Sequence, residues 1–467
     1  MSRRIVIVGG GFSGAATAAA LLRRGERGLE VTLIERSGVF GRGVAYSTPR
    51  PEHLLNVPAG RMSALPEQPG HFLAWARAAG HPAAEHDFVP RALYGDYVQS
   101  VLAEAERGAP AGALRRIAGE VSAIAPRPAG EDATGPRAAP DSARTGALVT
   151  VAGERLEADA VVLALGVSRP APPPFAAPVA DHPGYVADPW DAGAIAGLAE
   201  RRSVLVLGTG MTMVDVVLTL GGGPEITAVS RNGELPRAHR TDPDPKLPGP
   251  VVEPGPGLTA DSLASAVEAA AREAGRDWRG VIDSLRPVTP SLWRSLPPRE
   301  QARFARLYGR RWEVHRSRTA PAVAARIAEL RTAGALRVEA AEVRSLRPAA
   351  DGRIACEVAQ ESGKRTLVTD AVVNAAGPAW DCRRGEHALL RDLIARGLAA
   401  PGPLGLGLRT ADDGALLDSA GRPSEVLFTL GALRRGELWE SVAVPELAAQ
   451  ACALAERVTQ PARAVAA

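Results

Sequence analysis

The segment that decides the fold is Arg4-Ile-Val-Ile-Val-Gly-Gly-Gly-Phe-Ser-Gly14, near the N-terminus. Its apolar run predicts a buried strand of a parallel sheet, and the glycines that follow predict a tight turn into a helix. Gly9 permits the turn, Gly11 lets a pyrophosphate approach the backbone, and Gly14 lets the helix pack closely on the strand. Free N–H groups and the dipole at the helix N-terminus favour a negative ligand, so the segment predicts a dinucleotide site.

A second strand, Val31-Thr-Leu-Ile-Glu35, follows the predicted helix, which begins at about Ala15. Glu35 ends this strand 21 residues after Gly14, where a carboxylate can accept hydrogen bonds from an adenosine ribose. Strand, turn, helix, strand and acid are all in place, which makes the fingerprint more specific than the glycine spacing alone. The alternative is a glycine turn in an α/β domain that binds no nucleotide.

An altered copy of this unit reads Ser203-Val-Leu-Val-Leu-Gly-Thr-Gly-Met-Thr-Met213. Met213 replaces the third glycine, which predicts a helix held farther from its strand. The next strand ends in Ser230-Arg231 rather than in an acid, and a hydroxyl beside a guanidinium suits a 2′-phosphate. This pattern predicts NADPH, with NADH as the alternative. The competing interpretation is a degenerate structural copy in which Arg231 is one of many surface arginines.

The helix after the second turn is predicted to open with a capping box of Thr212 and Asp215 and to run to Leu220. Each unit is followed, at a distance, by an apolar strand that begins Asp-Ala-Val-Val and ends in glycine, at 159–166 and at 370–377. This match at equivalent places indicates two related dinucleotide-binding domains.

The duplication predicts an α/β protein with two Rossmann-like domains, the second inserted in the first, together with β-meander and helical insertions. We place the first part of the N-terminal domain at 1–168 and the NAD(P)-binding-like domain with its helical insertion at 169–377. The chain is predicted to return to the first domain over 378–467. Residues 126–146, rich in Pro, Ala and Gly, are predicted to form a long surface loop.

Composition excludes several classes of protein. The 467 residues are 46% hydrophobic and 23% charged with a formal net charge of +3, which predicts a folded protein with no nucleic-acid partner. No apolar run is long enough for a membrane span, and the N-terminus does not resemble a signal peptide, so a cytoplasmic location is expected. The three cysteines lie far apart and the histidines lack ligand spacing, which argues against a redox dithiol and a metal site.

Beyond the two turns, the chain resembles a family: the bacterial FAD-NAD(P)-binding group of two-dinucleotide-binding-domain flavoproteins, allied to the class B flavin monooxygenases. The resemblance covers nearly the whole chain. It rests on Gly9-Gly-Gly-Phe-Ser-Gly14, Gly41-Arg-Gly-Val-Ala-Tyr-Ser-Thr48, His53-Leu-Leu-Asn-Val-Pro-Ala-Gly-Arg-Met62, Phe88-Val-Pro-Arg-Ala-Leu-Tyr-Gly-Asp-Tyr97, Gly208-Thr-Gly210, Trp312-Glu-Val-His-Arg316 and Gly431-Ala-Leu-Arg-Arg-Gly-Glu-Leu-Trp-Glu440.

The resemblance implies FAD in the first site and a nicotinamide dinucleotide in the second, with the flavin ring in the cleft between the domains. The segments Gly43–Ser47 and Leu55–Arg61 resemble loops beside FAD, Phe88–Tyr97 resembles a helix start near the flavin, and Gly431 resembles the late glycine at the FAD diphosphate. The residues predicted to bind cofactor are Gly9, Gly11, Phe12, Ser13, Gly14, Glu35, Arg36, Val44, Tyr46, Asn56, Val57, Arg61, Val121, Gly166, Gly208, Gly210, Thr212, Ser230, Arg231, Gly377 and Gly431.

Asn56 is the candidate catalytic residue, because the resemblance places its loop near the flavin, where an amide can hydrogen-bond the ring or an oxygen adduct. Its alternative is a loop amide that caps backbone. Arg61 is a candidate for a phosphate or substrate carboxylate, against the commoner role of an exposed arginine. The arginine-rich segment 310–318, with His315, is a candidate anion site or a solvated helix end. Trp439–Glu440 is predicted either to cover the flavin or to pack the last helix.

The implied activity is that of an NADPH-dependent flavin monooxygenase, which oxygenates a small nucleophilic substrate with O2 through a flavin C4a-hydroperoxide. An amine or amino acid is the preferred substrate by analogy. The linker fingerprint of these enzymes is broken, since Val186 stands at its histidine position when Trp190 is aligned to its end. The alternatives are therefore an FAD oxidase or dehydrogenase and a non-catalytic flavoprotein. The oligomeric state is left open.

Overall fold

The structure is a computed structural model that describes residues 3–127, 146–242, 247–273 and 277–460. The predicted surface loop at 126–146 lies almost wholly outside these residues. Two large sheets, built mainly from parallel strands, carry helices on their faces, and each is accompanied by a small antiparallel sheet. This arrangement confirms the predicted α/β class with two nucleotide-binding units.

The first large sheet is centred on the strand that precedes the first glycine turn. Its strands, in spatial order, are β16 (Ala415–Leu417), β17 (Pro423–Thr429), β7 (Ala160–Leu163), β1 (Arg3–Val8), β2 (Leu29–Glu35) and β3 (Leu114–Ala118). All neighbours pair in parallel except β16 with β17. Ile5 and Ile7 face one core while Val6 and Val8 face another, because alternate side chains of a strand point to opposite faces.

Helices cover one face of this sheet, and a meander with a helix covers the other. On the first face, α1 (Phe12–Arg23) packs against α4 (Arg91–Gly108) and α15 (Val444–Thr459). On the second lie β4 (Val121–Pro126), β5 (Ala147–Val151), β6 (Glu154–Ala158) and α13 (Ala388–Ala395). Short helices complete this part: α2 (Gly43–Tyr46), α3 (His71–Ala78) and α14 (Arg435–Leu438).

The second large sheet repeats the plan with an all-parallel order. Its strands are β11 (Leu336–Ala340), β10 (Glu225–Ser230), β9 (Ser203–Leu207), β15 (Ala371–Asn374) and β8 (Tyr185–Val186). A meander of β12 (Glu342–Pro348), β13 (Ile354–Gln360) and β14 (Gly363–Thr369) accompanies it. The associated helices are α5 (Ala192–Ala196), α6 (Met211–Leu220) and α12 (Pro321–Thr332).

A helical insertion separates β10 from α12. It comprises α7 (Ala260–Arg272), α8 (Trp278–Leu285), α9 (Thr289–Ser295), α10 (Pro298–Leu307) and α11 (Gly309–Arg316). Short 3-10 helices occur at Ala59–Arg61, Pro174–Val179, Arg286–Val288, Pro403–Gly405 and Gly431–Arg434.

The two sheets draw on different parts of the chain. The first takes strands from 3–163 and from 415–429, whereas the second takes strands from 185–374 only. The domain boundaries themselves stay predictions. Within the described residues, no helix combines the length and hydropathy that a bilayer span requires, and no group of His, Cys, Asp and Glu is arranged to hold a metal ion.

Candidate functional site

The first glycine turn is fixed by sterics at two of its glycines. Gly9 has a φ of +105°, and a Cβ there would stand 2.3 Å from the backbone oxygen of Ala164. A Cβ on Gly14 would stand 1.8 Å from the backbone oxygen of Gly9. Side chains at either position would collide with backbone, so this turn and its close helix require glycine.

Gly11 is the N-cap of α1, and no side chain caps this helix. A Cβ on Gly11 would stand 3.3 Å from the Cα of Gly43, and the Gly41 N–H donates to the Gly10 oxygen at 2.7 Å. The loop that begins at Gly41 therefore lies on the turn, and its Val44 side chain is exposed. Gly11 thus serves the approach of this loop as well as the predicted approach of a pyrophosphate.

Glu35 is held in place by the turn it follows. Its Oε2 accepts from the Gly10 N–H at 2.7 Å, and its Oε1 accepts from the N–H and hydroxyl of Ser37 at 3.0 and 2.9 Å. An ionised carboxylate offers about four acceptor positions, so capacity remains for a ribose hydroxyl. Arg36 is exposed and pairs with Glu386 at 3.4 Å.

The structure brings Gly431 next to this turn and sends two other predicted side chains elsewhere. A Cβ on Gly431 would stand 3.4 Å from the Ser13 hydroxyl, although the two residues are 418 positions apart in the sequence. Phe12 is buried in an aromatic cluster with Tyr46 and Tyr94, so its backbone rather than its ring faces the turn.

Three further predicted residues lie at or just beyond strand ends, and a fourth packs in the core. Val121 begins β4 and is buried. Gly166 follows β7 and Gly377 follows β15, with φ values of +69° and +94°, and a Cβ on either would meet no atom within 4 Å. Val57 packs against the first core.

The second turn repeats the backbone of the first. Gly208 has a φ of +111°, and a Cβ there would stand 2.3 Å from the Ala375 oxygen. Its N–H donates to the Val229 oxygen at 2.8 Å. Gly210 is the N-cap of α6, again without a side-chain cap. Met213, at the place of the third glycine, is fully buried in the second core.

Hydroxyl groups replace the acid of the first turn. The Thr209 and Ser230 hydroxyls lie 2.8 Å apart, and the Thr209 hydroxyl donates to the Glu234 oxygen at 2.7 Å. The Ser230 proton is then directed to Thr209, while Ser230 accepts from the Gly233 N–H at 3.0 Å. Ser230 therefore fastens the turn, and its hydroxyl has no proton left for a phosphate in this arrangement.

Arg231 follows Ser230 and is exposed, and no described residue pairs with its side chain. Arg310, from α11, lies over the same turn. Its Nη2 donates to the Glu234 oxygen at 2.8 Å, and its Nη1 is 3.8 Å from where a Cβ on Gly210 would stand. The sequence placed Arg310 only within a cluster of arginines, because the fold alone brings α11 to the turn.

The predicted capping box is wrong. Thr212 is half-buried and caps nothing, since Gly210 is the N-cap. The Asp215 carboxylate instead accepts from Arg91 at 2.7 and 3.0 Å. This bidentate pair ties the start of α4, in the first half, to α6 in the second.

His53 reinforces the same junction. Its Nε2 lies 3.1 Å from the Asp215 backbone oxygen, which can only accept, so Nε2 carries the proton and Nδ1 accepts from the Thr48 hydroxyl at 2.8 Å. Burial lowers the pKa of His53, Asp215 opposes this shift, and Arg91 adds to it. Sequence analysis missed Arg91, Asp215 and His53 as a unit, because they are far apart in the chain.

The loop with Asn56 lies across the junction. Leu55 is buried in the first core and Leu54 packs against the second. The Asn56 backbone oxygen accepts from His239 Nε2 at 3.1 Å, while its half-buried side chain has no hydrogen-bond partner among the described residues. Arg61 pairs with Asp283 of α8 at 3.4 Å, so the structure gives it an ion-pair partner in the helical insertion.

Trp439 and Glu440 join the helical insertion to the segment that follows Gly431. Trp439, at a φ of +59°, stacks on Trp293 with ring centres 4.6 Å apart. Glu440 accepts from Trp312 Nε1 at 2.9 Å and from Arg316 Nε at 2.8 Å. The sequence predicted that this pair covers the flavin or packs the last helix. Neither alternative named the observed contact, in which the Trp439 indole packs on Trp293 of α9.

His315 is half-buried on α11, and the cysteines lie apart from the turns. The His315 ring contacts the Trp278 edge, with centres 4.9 Å apart. Burial raises the pKa of both Cys356 and Cys382 to about 12, and both thiols are buried in separate cores. Cys452 is exposed. A dithiol pair is absent from the described residues.

Two kinds of comparison with known proteins bear on the family and the fold of this chain. Residues 6–168 match the family model FAD-NAD(P)-binding, and no curated protein sequence matches the chain. Similar solved structures include L-lysine 6-monooxygenase from Pseudomonas syringae, with 17% identity, a TM-score of 0.67 and coverage of 98% of this chain and 99% of that one.

Two further structures extend the likeness. Ornithine hydroxylase from Pseudomonas aeruginosa, in its reduced form, has 15% identity and a TM-score of 0.63, with 98% and 99% of the two chains covered. Bacillithiol disulfide reductase from Staphylococcus aureus has 12% identity and a TM-score of 0.56, with 98% of each chain covered. At these identities the likeness establishes the fold. Residues 6–168 thus match the FAD-NAD(P)-binding family model, and the chain as a whole has the fold of flavoproteins with two nucleotide-binding domains.

Proposed function

We propose that the protein is an FAD-dependent monooxygenase that uses NADPH and O2 to oxygenate a small amine or amino acid. The observation that carries the proposal is a pair of like-shaped nucleotide turns with unlike charge, joined by the loop of Asn56. The first turn lies beside the Glu35 carboxylate, and the second beside the Arg231 cation, which has no partner among the described residues. That difference suits FAD in one site and a 2′-phosphorylated dinucleotide in the other.

The first site fits FAD on three observations: the uncapped start of α1, the spare acceptor capacity of Glu35, and the open strand end at Gly166. FAD, when bound, supplies the hydride acceptor and the centre that activates O2. The proposed FAD-binding residues are Gly9, Gly11, Phe12, Ser13, Gly14, Glu35, Arg36, Val44, Tyr46, Asn56, Val57, Arg61, Val121, Gly166 and Gly431.

The second site fits NADPH better than NADH. Arg231 has no carboxylate partner among the described residues, and a guanidinium recognises a phosphate by charge-assisted hydrogen bonds. The proposed set here is Gly208, Gly210, Thr212, Ser230, Arg231 and Gly377, with Ser230 holding the turn.

Asn56 is proposed to orient the flavin or the reacting group at the junction. Its backbone is fixed by His239 while its side-chain amide is uncommitted, so the amide can donate to one group and accept from another. Leu54 and Leu55, which precede Asn56, pack against the second and the first core, so apolar side chains lie next to the junction. A protected site is what oxygen transfer needs, because water diverts reactive intermediates.

The amine or amino acid substrate is supported by likeness of fold to enzymes named for ornithine, lysine and cadaverine. The second candidate is an FAD oxidase or dehydrogenase, favoured by Val186 at the histidine position of the linker fingerprint and by Met213 in the second turn. In the third, a non-catalytic flavoprotein, the second turn would bind no nicotinamide.

The test is a two-stage reaction of the purified holoprotein. Anaerobic mixing with NADPH or NADH is followed by flavin absorbance, and ¹⁸O2 is then admitted with L-ornithine, L-lysine or cadaverine. We expect faster reduction by NADPH and ¹⁸O in an oxygenated amine. Reduction with hydrogen peroxide as the sole oxygen product for every amine would favour an oxidase, and reduction by neither nucleotide would favour the non-catalytic flavoprotein.

A further inference from the structure

Arg310 stands over the second glycine turn in a position that no nearby acid explains. Its Nη2 is occupied by the Glu234 backbone oxygen at 2.8 Å, with Thr209 Oγ1 at 3.4 Å. Its Nη1 lies 3.8 Å from where a Cβ on Gly210 would stand. One side of the guanidinium is therefore anchored to the turn, and the other side keeps free donors directed at the glycine.

The electrostatics of this position favour an anion. Arg310 lies in the first turn of α11 and beside the first turn of α6, and the positive end of a helix disfavours a cation. No carboxylate among the described residues pairs with it. Glu313, on the same helix, pairs with Arg435 at 2.5 Å, and Glu268 is taken by Arg311 and Arg272.

We propose that Arg310 clamps the diphosphate of the dinucleotide against the second turn. The inference rests on the proposed function, because it takes the second turn as a nicotinamide dinucleotide site. The diphosphate is common to NADPH and NADH, so Arg310 sets affinity for both, whereas Arg231 discriminates between them. Arg310 thus acts as a binding residue that the helical insertion delivers to the nucleotide-binding domain.

The experiment measures equilibrium binding of NADP⁺, NAD⁺ and ADP to the oxidised holoprotein by calorimetry. Arg310→Ala is compared with Arg311→Ala, the neighbouring residue whose exposed guanidinium pairs with Glu268. We expect Arg310→Ala to weaken all three ligands by about ten- to a hundredfold, with an unchanged ratio of NADP⁺ to NAD⁺. Arg311→Ala is expected to bind like wild type, and Arg310→Lys to fall between.

Bound FAD, read from flavin absorbance, reports whether the variants fold. Unchanged affinity in a flavin-loaded Arg310→Ala protein would overturn the inference while leaving the proposed function intact. Tighter binding would also overturn it, because Arg310 would then be an obstruction at the turn. If the wild-type protein binds none of the three ligands, that result contradicts the proposed function and, with it, the proposed role of Arg310.

Discussion

The two nucleotide turns have the same backbone but different surroundings. Gly9 and Gly208 adopt nearly equal φ values, +105° and +111°, and a Cβ on either would stand 2.3 Å from a backbone oxygen of the neighbouring strand. The third position differs, since Gly14 would collide with Gly9 if it carried a Cβ, whereas Met213 carries a buried side chain. That α6 lies farther from its strand than α1 does therefore stays a prediction from Met213.

The groups that complete each turn differ as well. The first is completed by an acid and a neutral loop, Glu35 and Gly43, and the second by hydroxyls and cations, Thr209 with Arg310 and Arg231. The two turns thus share a backbone conformation but lie beside groups of opposite charge. Under the proposed function, the glycines fit a dinucleotide, while the residues at the next strand end and above the turn would select which dinucleotide binds.

The largest effect is expected from imposing the second turn on the first. Gly14→Met should abolish FAD binding, because its Cβ would stand 1.8 Å from the Gly9 oxygen. The flavin-to-protein absorbance ratio after purification measures this. Gly108→Met, at a helix end where a Cβ meets no atom within 4 Å, is the control and should retain FAD. A wild-type ratio in Gly14→Met would contradict the steric argument.

The junction between the halves comes next. Asp215 occupies the position in α6 that Ala16 has in α1, and it pairs with Arg91 while both side chains are mostly buried, 19% and 18% exposed. Asp215→Asn should lower the free energy of unfolding by about 1–3 kcal/mol, the range for a hydrogen bond to a charged group.

Urea denaturation of Asp215→Asn, Arg91→Ala and the double variant gives the coupling energy between the two residues. Additive losses would show that the pair contributes nothing as a pair. Arg331→Ala, an exposed residue of α12, is the control for removal of a surface arginine.

Arg231→Ala should change nucleotide preference at the second turn only. We expect NADPH binding to weaken by about tenfold or more while NADH binding changes little, since one charge-assisted contact is lost. Flavin reduction at rising concentrations of each nucleotide measures both. An unchanged NADPH/NADH preference would show that Arg231 is an ordinary surface arginine. A loss of bound FAD would show that the substitution has an effect beyond the second site.

A smaller effect is expected from pH. The pKa of His53 is below its ordinary value of 6.5 because of burial, so His53 binds a proton less readily in the folded chain than in the unfolded chain. Stability is therefore present above about pH 6.5 and falls as pH falls toward the folded pKa. His53→Gln should make the free energy of unfolding depend less on pH in denaturation series between pH 7 and 5, about the range where His titrates. An equal pH dependence in the variant and the wild type would show that His53 does not contribute to it.

The smallest effect is expected at the thiols. Burial holds the pKa of Cys356 and Cys382 at about 12, so neither forms thiolate at neutral pH. Native protein should react with Ellman's reagent at the exposed Cys452 alone, and Cys452→Ser should reduce its flavin with NADPH at the wild-type rate. A second reactive thiol, or a slower reduction, would point to dithiol chemistry.

The sequence by itself determined the turns and the order of elements around them. Gly9, Gly14 and Glu35 were predictable because their roles depend on neighbours within about 30 residues, as local backbone sterics and strand periodicity do. The same reasoning found the second turn and its lack of an acid. The capping box at Thr212 failed because Asp215 has a stronger partner outside its own helix.

Tertiary structure alone decided what stands beside the turns. Arg91 meets Asp215, Arg310 meets Gly210, and Gly431 meets Ser13 only after separate segments of the chain pack together. These contacts follow from how the cores and the helical insertion dock, and such docking depends on the shapes of several apolar faces at once. No spacing within one segment encodes it, so the glycine turns could be read from the sequence and their charged surroundings could not.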